Sequence, residues 1–457
     1  MTLSSHAAKN SVMMVARLVM SQGANFLVGV MIARKFSIED YGKYSLLIAI
    51  NAILLVLTEF GYSYSIQKTN SHTKRPFIKR TILWSSVVSI IFAIIASVFM
   101  INKDYGIVSV LCIFLAIITM PVYNVLVAFF EAANRFNLIL ILDTVSSLLY
   151  ALMVYVFYSS LSITMIAILI LTKQLTLAFL AMLFSRLVVL SDDQQLHRLK
   201  SVGELINFGR FSYFSNILGA INGSAAPILS VTFLSTEQVG RLSFSIIIVS
   251  YLQQVFMASN RALLPFFIKS GRSSESSLVS IMRMYIIVSI LAIVTFKIFG
   301  LAVIEVVFGE QWKIAYQPIL WLLFGNLITS STIPGVAFLL SKGLSRELFL
   351  YTAFRTTLFW IIMPVVLLVF KNIDSYIVSA VVLEICGIYV IYNVIARSEI
   401  KFFDIYLIPI CMATCSVLAI FIFDGIWNGV FSYILCTTAI ICALYIEFRK
   451  FKGGLKE

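Results

Sequence analysis

Long apolar runs separated by short polar breaks dominate this chain. About twenty apolar residues span a bilayer as a helix. On that measure about fourteen segments qualify: 11–33, 43–66, 81–101, 107–130, 138–158, 163–187, 208–234, 242–264, 281–303, 318–341, 349–370, 376–396, 404–423 and 430–447. The pattern predicts an all-α polytopic membrane protein. The first segment is too long for a cleavable signal peptide and is interrupted by Arg17, Gln22 and Asn25.

Two of the polar breaks repeat one another. Phe36 to Leu46 reads FSIEDYGKYSL and Leu234 to Phe244 reads LSTEQVGRLSF. Ser37, Glu39, Gly42 and Ser45 thus recur as Ser235, Glu237, Gly240 and Ser243, with Lys43 replaced by Arg241. Each copy joins a first long apolar segment to a second, which predicts an internal duplication. A later echo, Asn134-Arg135 before the fifth segment and Ser345-Arg346 before the eleventh, supports the duplication. Six helices return a chain to its starting side, so the repeats are expected in parallel orientation about an axis along the membrane normal. The expected organisation is a six-helix bundle at 1–190, a polar cytoplasmic linker at 191–207, a second six-helix bundle at 208–403, and two further helices with a basic tail at 404–457.

Composition supports this reading and narrows the partners. Apolar residues make up 60% and charged residues 12%, against about 25% charged in a typical soluble domain. The net charge of +13 comes from basic residues in the short breaks, which suits lipid headgroups and not a nucleic acid. With the amino terminus inside, 22 Lys and Arg fall on the cytoplasmic side and 7 on the other, so both termini are expected in the cytoplasm. The six cysteines lie in apolar segments away from any histidine, and the three histidines lie in polar breaks. Neither pattern suggests a metal site. No phosphate-binding glycine loop suggests an ATP-driven pump. The breaks assigned to the outer side are short, the longest being about 304–318, which argues against a polymerase or glycosyltransferase with a catalytic outer loop.

Candidate chemistry lies on polar stripes within the spans. Arg17, Ser21, Gln22, Asn25 and Gly29 fall within about 140° of the first helix at about 100° per residue. The seventh carries Ser212, Ser215, Asn216, Gly219, Asn222, Gly223, Pro227 and Ser230, and the eighth Ser250, Gln254 and Arg261. Such stripes serve either close helix packing or a wet cleft. Ionisable residues at membrane depth usually face a cavity or a partner; here they are Glu59, Asp143, Lys173, Lys297, Arg355 and Glu384, with Glu131 at a helix end. Arg17, Arg261, Arg355 and Lys297 lie near enough to a boundary for snorkelling to explain them. Lys173 and Glu384 are deeper, where pairing is the simpler account. Glu59, away from any basic neighbour in sequence, is the candidate for ion coupling.

Ala33 to Leu46, ARKFSIEDYGKYSL, resembles the signature after the first helix of polysaccharide biosynthesis proteins, the Wzx-type O-antigen repeat-unit flippases of the multidrug/oligosaccharidyl-lipid/polysaccharide exporter superfamily. Phe308 to Ile319, FGEQWKIAYQPI, is similar to the stretch before that family's tenth helix, and the turn at Asn134-Arg135-Phe136 also fits. The resemblance implies two bundles forming a V around a central cavity that opens to each side in turn. It implies an undecaprenyl-pyrophosphate-linked oligosaccharide as cargo, moved from the cytoplasmic to the periplasmic leaflet of the bacterial inner membrane. Membrane lipids and polysaccharide polymerase machinery are the other implied partners; no cofactor and no catalytic residue are needed. Arginine suits pyrophosphate because its planar fork binds phosphate oxygens in pairs, which singles out Arg17, Arg261 and Arg355. Gln22, Asn25, Asn216, Asn222 and Gln254 complete the expected cleft. The two helices after residue 403 depart from the twelve-helix pattern of many relatives. A multidrug and toxin extruder or a lipid II flippase of the same superfamily are the rival readings. Cleft arginines disfavour the organic cations of the extruder, and a membrane glycosyltransferase or polymerase stands outside the class.

Overall fold

A computed structural model describes residues 20–59, 71–133, 135–185, 202–270, 274–342, 344–387 and 390, with backbone alone for some of them, Asn216 and Arg261 included. Arg17 and the last two expected helices lie outside the described residues. The described chain is helical, with no strand among these residues. The helices are α1 (20–35), α2 (Ile38–Leu57), α3 (Ser71–Ile101), α4 (Ile107–Ala132), α5 (Phe136–Val156), α6 (Ile163–Ser185), α7 (Val202–Phe233), α8 (Thr236–Ser270), α9 (Ser274–Phe308), α10 (Tyr316–Ser341), α11 (Ser345–Phe370) and α12 (Ile373–Glu384). They correspond one to one with the first twelve apolar segments. Eight spans among the described residues are long and apolar enough to cross a membrane, and the protein is a multi-pass membrane protein.

The repeated break is a helix start. Ser37 precedes α2 in extended conformation, and its Oγ accepts from the Asp40 amide at 3.1 Å. Ser235 precedes α8, where its Oγ accepts from the Gln238 amide while Gln238 Oε1 accepts from the Ser235 amide, both at 3.3 Å. This reciprocal pair satisfies two amides that a helix end leaves open. The caps explain why α2 begins at Ile38, inside a polar stretch, before the apolar run expected from 43. At the other end α2 stops at Leu57, well short of the expected 66.

The outer surface follows membrane logic. On α3 the large side chains Leu83, Trp84, Val87, Ile91, Ile94, Ile95 and Val98 are exposed, whereas Thr81, Ser85, Ser89, Ala93 and Ala96 are buried. Lipid tails solvate large apolar groups as well as a protein core does, so the small residues go to the helix contact. A water-soluble helix would show the reverse.

The chain divides into two compact units, Met1–Ile228 and Leu229–Glu457, with the boundary inside α7. In the first, α4 packs on α3 and α6, and α6 on α5. A core cluster of Ile78, Val125, Leu126, Phe129, Phe130, Ile139, Leu142 and Ala181 joins these four helices. In the second, α10 packs on α8, α9 and α12, and α12 on α11. The fourth helix of each repeat is thus its hub. Gly325 on α10 lets α12 approach: a Cβ there would lie 3.1 Å from the Val381 Cγ2.

Three boundaries differ from expectation. The break expected at 304–318 contracts to Gly309 and a short 3-10 helix, Glu310–Ala315. Gly309 has φ 107°, ψ 160°, a region open essentially to glycine alone. Trp312 is then fully buried, stacked on Phe244 at 4.0 Å. Residues 202–207 of the expected linker are the first turns of α7. The twelfth segment, read as one helix over 376–396, leaves α geometry at Glu384 for a 3-10 turn, Ile385–Gly387.

Candidate functional site

The second unit holds a polar site among α8, α10, α11 and α12. Glu384, the last α-helical residue of α12, is ion-paired through Oε1 with the Arg355 guanidinium of α11. Its other oxygen accepts from the Thr329 hydroxyl of α10 at 2.8 Å. Both side chains are largely withdrawn from solvent, 31% exposed for Arg355 and 20% for Glu384. Taking both charges from water costs several kcal/mol, and geometry of this quality is what offsets it.

A cavity of about 90 Å³ adjoins the pair, lined by Gln253 of α8, Asn326 and Thr329 of α10 and Glu384 of α12, with apolar walls from Val249, Leu322 and Val381. Asn326 is 1% exposed, yet among the described residues neither its Oδ1 nor its Nδ2 has a hydrogen-bond partner. An amide so placed is costly, and such groups usually mark a missing water, ion or mobile partner. Asn326 and Thr329 stand three residues apart on α10, on one face.

The first unit holds a counterpart. Lys173 on α6 donates to Asn25 Oδ1 of α1 at 3.5 Å and lies over the Tyr150 ring of α5, 4.9 Å from its centroid. The Asp143 carboxylate of α5 acts on it electrostatically and accepts a hydrogen bond from the Tyr123 hydroxyl of α4.

The predicted residues therefore separate. Asn25 belongs to the Lys173 network, and Gln22, half-buried, lies three residues before it on α1. Asn222 is half-buried on α7. Gln254 on α8 is half-buried, its Oε1 without a hydrogen-bond partner among the described residues. Arg355 belongs to the Glu384 site. Asn216 and Arg261 are placed by backbone alone, and Arg17 is outside the described residues. Glu59 lies in the turn after α2, one residue past the capping Thr58, and not within the helix. Lys173 and Glu384, both read as deep residues that would pair, find separate partners in separate units. Asn326, Thr329, Tyr123 and Tyr150 were not singled out by sequence. Asn326 and Thr329 left a signal, two hydrogen-bonding residues at helical spacing in an apolar run. The two tyrosines left none, since an aromatic at such a position is most often core.

With this geometry in hand, known folds bear comparison. A multidrug resistance MATE family transporter of the MOP superfamily, in an inward-facing conformation, superposes with TM-score 0.63 at 10% identity, covering 84% of this chain and 98% of that one. The lipid II flippase MurJ, inward closed, gives 0.64 at 12% identity, covering 98% and 100%. The MATE multidrug transporter DinF-BH gives 0.62 at 15%, covering 86% and 96%. At these identities the likeness is one of fold, and these are transporters or flippases and not enzymes. No curated protein matches the sequence. The model of a family described as "Polysaccharide biosynthesis protein" matches residues 7–271. That match spans more than half of the chain, including both copies of the repeated helix start and the whole first repeat, so the chain belongs to the polysaccharide biosynthesis protein family.

Proposed function

We propose that this protein is a flippase that moves an undecaprenyl-pyrophosphate-linked oligosaccharide, an O-antigen or capsular repeat unit, from the cytoplasmic to the periplasmic leaflet of the bacterial inner membrane. The observation that carries the reading is the joint one: a polysaccharide biosynthesis family match on a chain with the fold of known transporters and of a lipid II flippase. The chemistry of the task fits. Sugar and pyrophosphate cannot cross hydrocarbon, while a polyprenyl tail can stay in lipid, so alternating access of a laterally open polar cleft suffices. Arg17, Arg261 and Arg355 are the proposed pyrophosphate ligands, with Gln22, Asn25, Asn216, Asn222 and Gln254 along the path and Glu59 as a coupling carboxylate. Both termini face the cytoplasm, which agrees with the basic breaks.

The test is export of lipid-linked repeat units in cells carrying Ala or Lys at each of the three arginines, with membrane abundance measured alongside. Loss of one charge-assisted hydrogen bond costs about 1.5 to 3 kcal/mol, a tenfold to hundredfold weakening of binding. Lysine restores only part of it, because it keeps charge and loses the paired geometry. Full export by the triple Ala variant at normal abundance would reject the arginines as cargo ligands.

A further inference from the structure

We infer that Glu384 is a proton-operated latch. Ionised, it holds Arg355; protonated, it transfers to Asn326 and leaves the guanidinium open to an anion.

Three features converge. Arg355 is engaged by a carboxylate of its own chain, so any external anion must compete with Glu384 for it. The Asn326 amide is buried with donor and acceptor both unused, and it lines the same cavity as Glu384. A neutral carboxylic acid is the complement of a primary amide: its O–H donates to Oδ1 while its carbonyl accepts from Nδ2. An ionised carboxylate can use only the Nδ2 half and would oppose Oδ1. Asn326 is therefore a poor partner for the charged form and a good one for the protonated form.

The distance is short. Thr329, the present partner of Glu384, is three residues from Asn326, about 4.5 Å along α10 at the α-helical rise. The cavity supplies space beside both. Glu384 also sits where α12 passes into a 3-10 turn, a common place for local adjustment. Beside the pair, Tyr351 of α11 is hydrogen-bonded to Arg355 and acts electrostatically with Glu384 and with Cys386 of the 3-10 turn. α8 and α10 contribute the uncharged Gln253, Asn326 and Thr329. Arg355 is the charge that Glu384 pairs with, so one proton on Glu384 decides whether it is neutralised.

The latch goes beyond the transport reading, although its anion arm uses the phosphate chemistry proposed there. Infrared difference spectra of the purified full-length protein between neutral and acid pH should show a carboxylic-acid carbonyl band that is lost in Glu384→Gln. In Asn326→Leu the band should move to higher frequency, because its hydrogen bonds are gone. Inorganic pyrophosphate, followed by calorimetry, should bind the wild type about tenfold more tightly at acid pH, within the usual span of site-to-site coupling. Glu384→Gln should bind tightly at both. Absence of a band assignable to Glu384, a band unmoved in Asn326→Leu, or the same pH dependence in Glu384→Gln as in wild type would each overturn the latch. If the band behaves as expected while no variant binds pyrophosphate at any pH, the latch stands and the proposed phosphate recognition is what fails.

Discussion

The two repeats carry half-buried charge on the same pair of helices with the signs exchanged. In the first, the acid Asp143 is on the fifth helix and the base Lys173 on the sixth; in the second, the base Arg355 is on the fifth and the acid Glu384 on the sixth. The register agrees: Arg135 and Arg346 are 211 residues apart, and so are Lys173 and Glu384. Asp143 and Arg355 miss this spacing by one position. A contact between fifth and sixth helices thus tolerates either polarity, provided each charge finds a partner. The surroundings differ more. Lys173 is shared among an amide, a ring face and a carboxylate, whereas Arg355 has a direct ion pair whose carboxylate faces a cavity and an unused amide. Of the two, the second has somewhere to move.

A similar contrast holds where the chain between the third and fourth helices is tied down onto the second. In the first unit Tyr105 reaches over with a hydroxyl that donates to the Lys43 carbonyl at 2.6 Å. In the second the fastening is apolar: the Phe244 ring stacks on Trp312 at 4.0 Å and meets the Phe308 ring at the segment end edge-on at 5.0 Å.

The largest expected effect breaks this second comparison. Trp312→Ala should destabilise the protein by about 3–5 kcal/mol, the usual cost of emptying a large aromatic site, read as thermal unfolding in detergent. An effect as small as that of Tyr105→Phe would mean the two fastenings are equivalent. Next comes the charge comparison. Glu384→Ala strands the Arg355 charge at a cost of about 3 kcal/mol, at the low end for a buried pair because both groups keep some solvent. The double replacement Arg355→Met with Glu384→Leu should recover most of it. Lys173→Met should cost less than Glu384→Ala, since its partners are looser; a larger loss would reverse the ranking of the two networks.

Smaller effects test the shared helix start. Ser37→Ala and Ser235→Ala should each cost about 1 kcal/mol, and equal losses would support one capping role in both repeats. Smallest is Tyr105→Phe, about 0.5–1 kcal/mol for one neutral hydrogen bond. It carries a pH signature. Burial pushes the Tyr105 phenol above its ordinary value of 10.0, so folding favours the protonated form. Its contribution is complete below that ordinary value and declines as pH rises toward the folded one. Tyr105→Phe should therefore show a flatter fall in stability above pH about 10 than wild type.

Twelve helices were legible because the spans are long enough to register by length alone. The repeated break was legible as a repeat but not as a helix start: spans were expected from 43 and 242, and the caps at Ser37 and Ser235 begin the helices at Ile38 and Thr236. The tight turn at Gly309 was not legible either: a break over 304–318 was expected there, and the structure contracts it. The charged residues at depth were visible one by one, but not their partners. Arg355 read equally well as a headgroup anchor or a cleft residue, and only α11 packed on α12 shows it held by Glu384. Asn326 looked like any small polar residue in a membrane helix; its isolation depends on which atoms three other helices fail to supply. Hydropathy depends on near neighbours along the chain, so sequence alone determines the spans and shows the repeated break. Partner choice for a buried charge or amide depends on the register and approach of helices tens of residues apart, and Gly325 against Val381 shows that a single missing Cβ helps set that approach. That choice belongs to the tertiary structure.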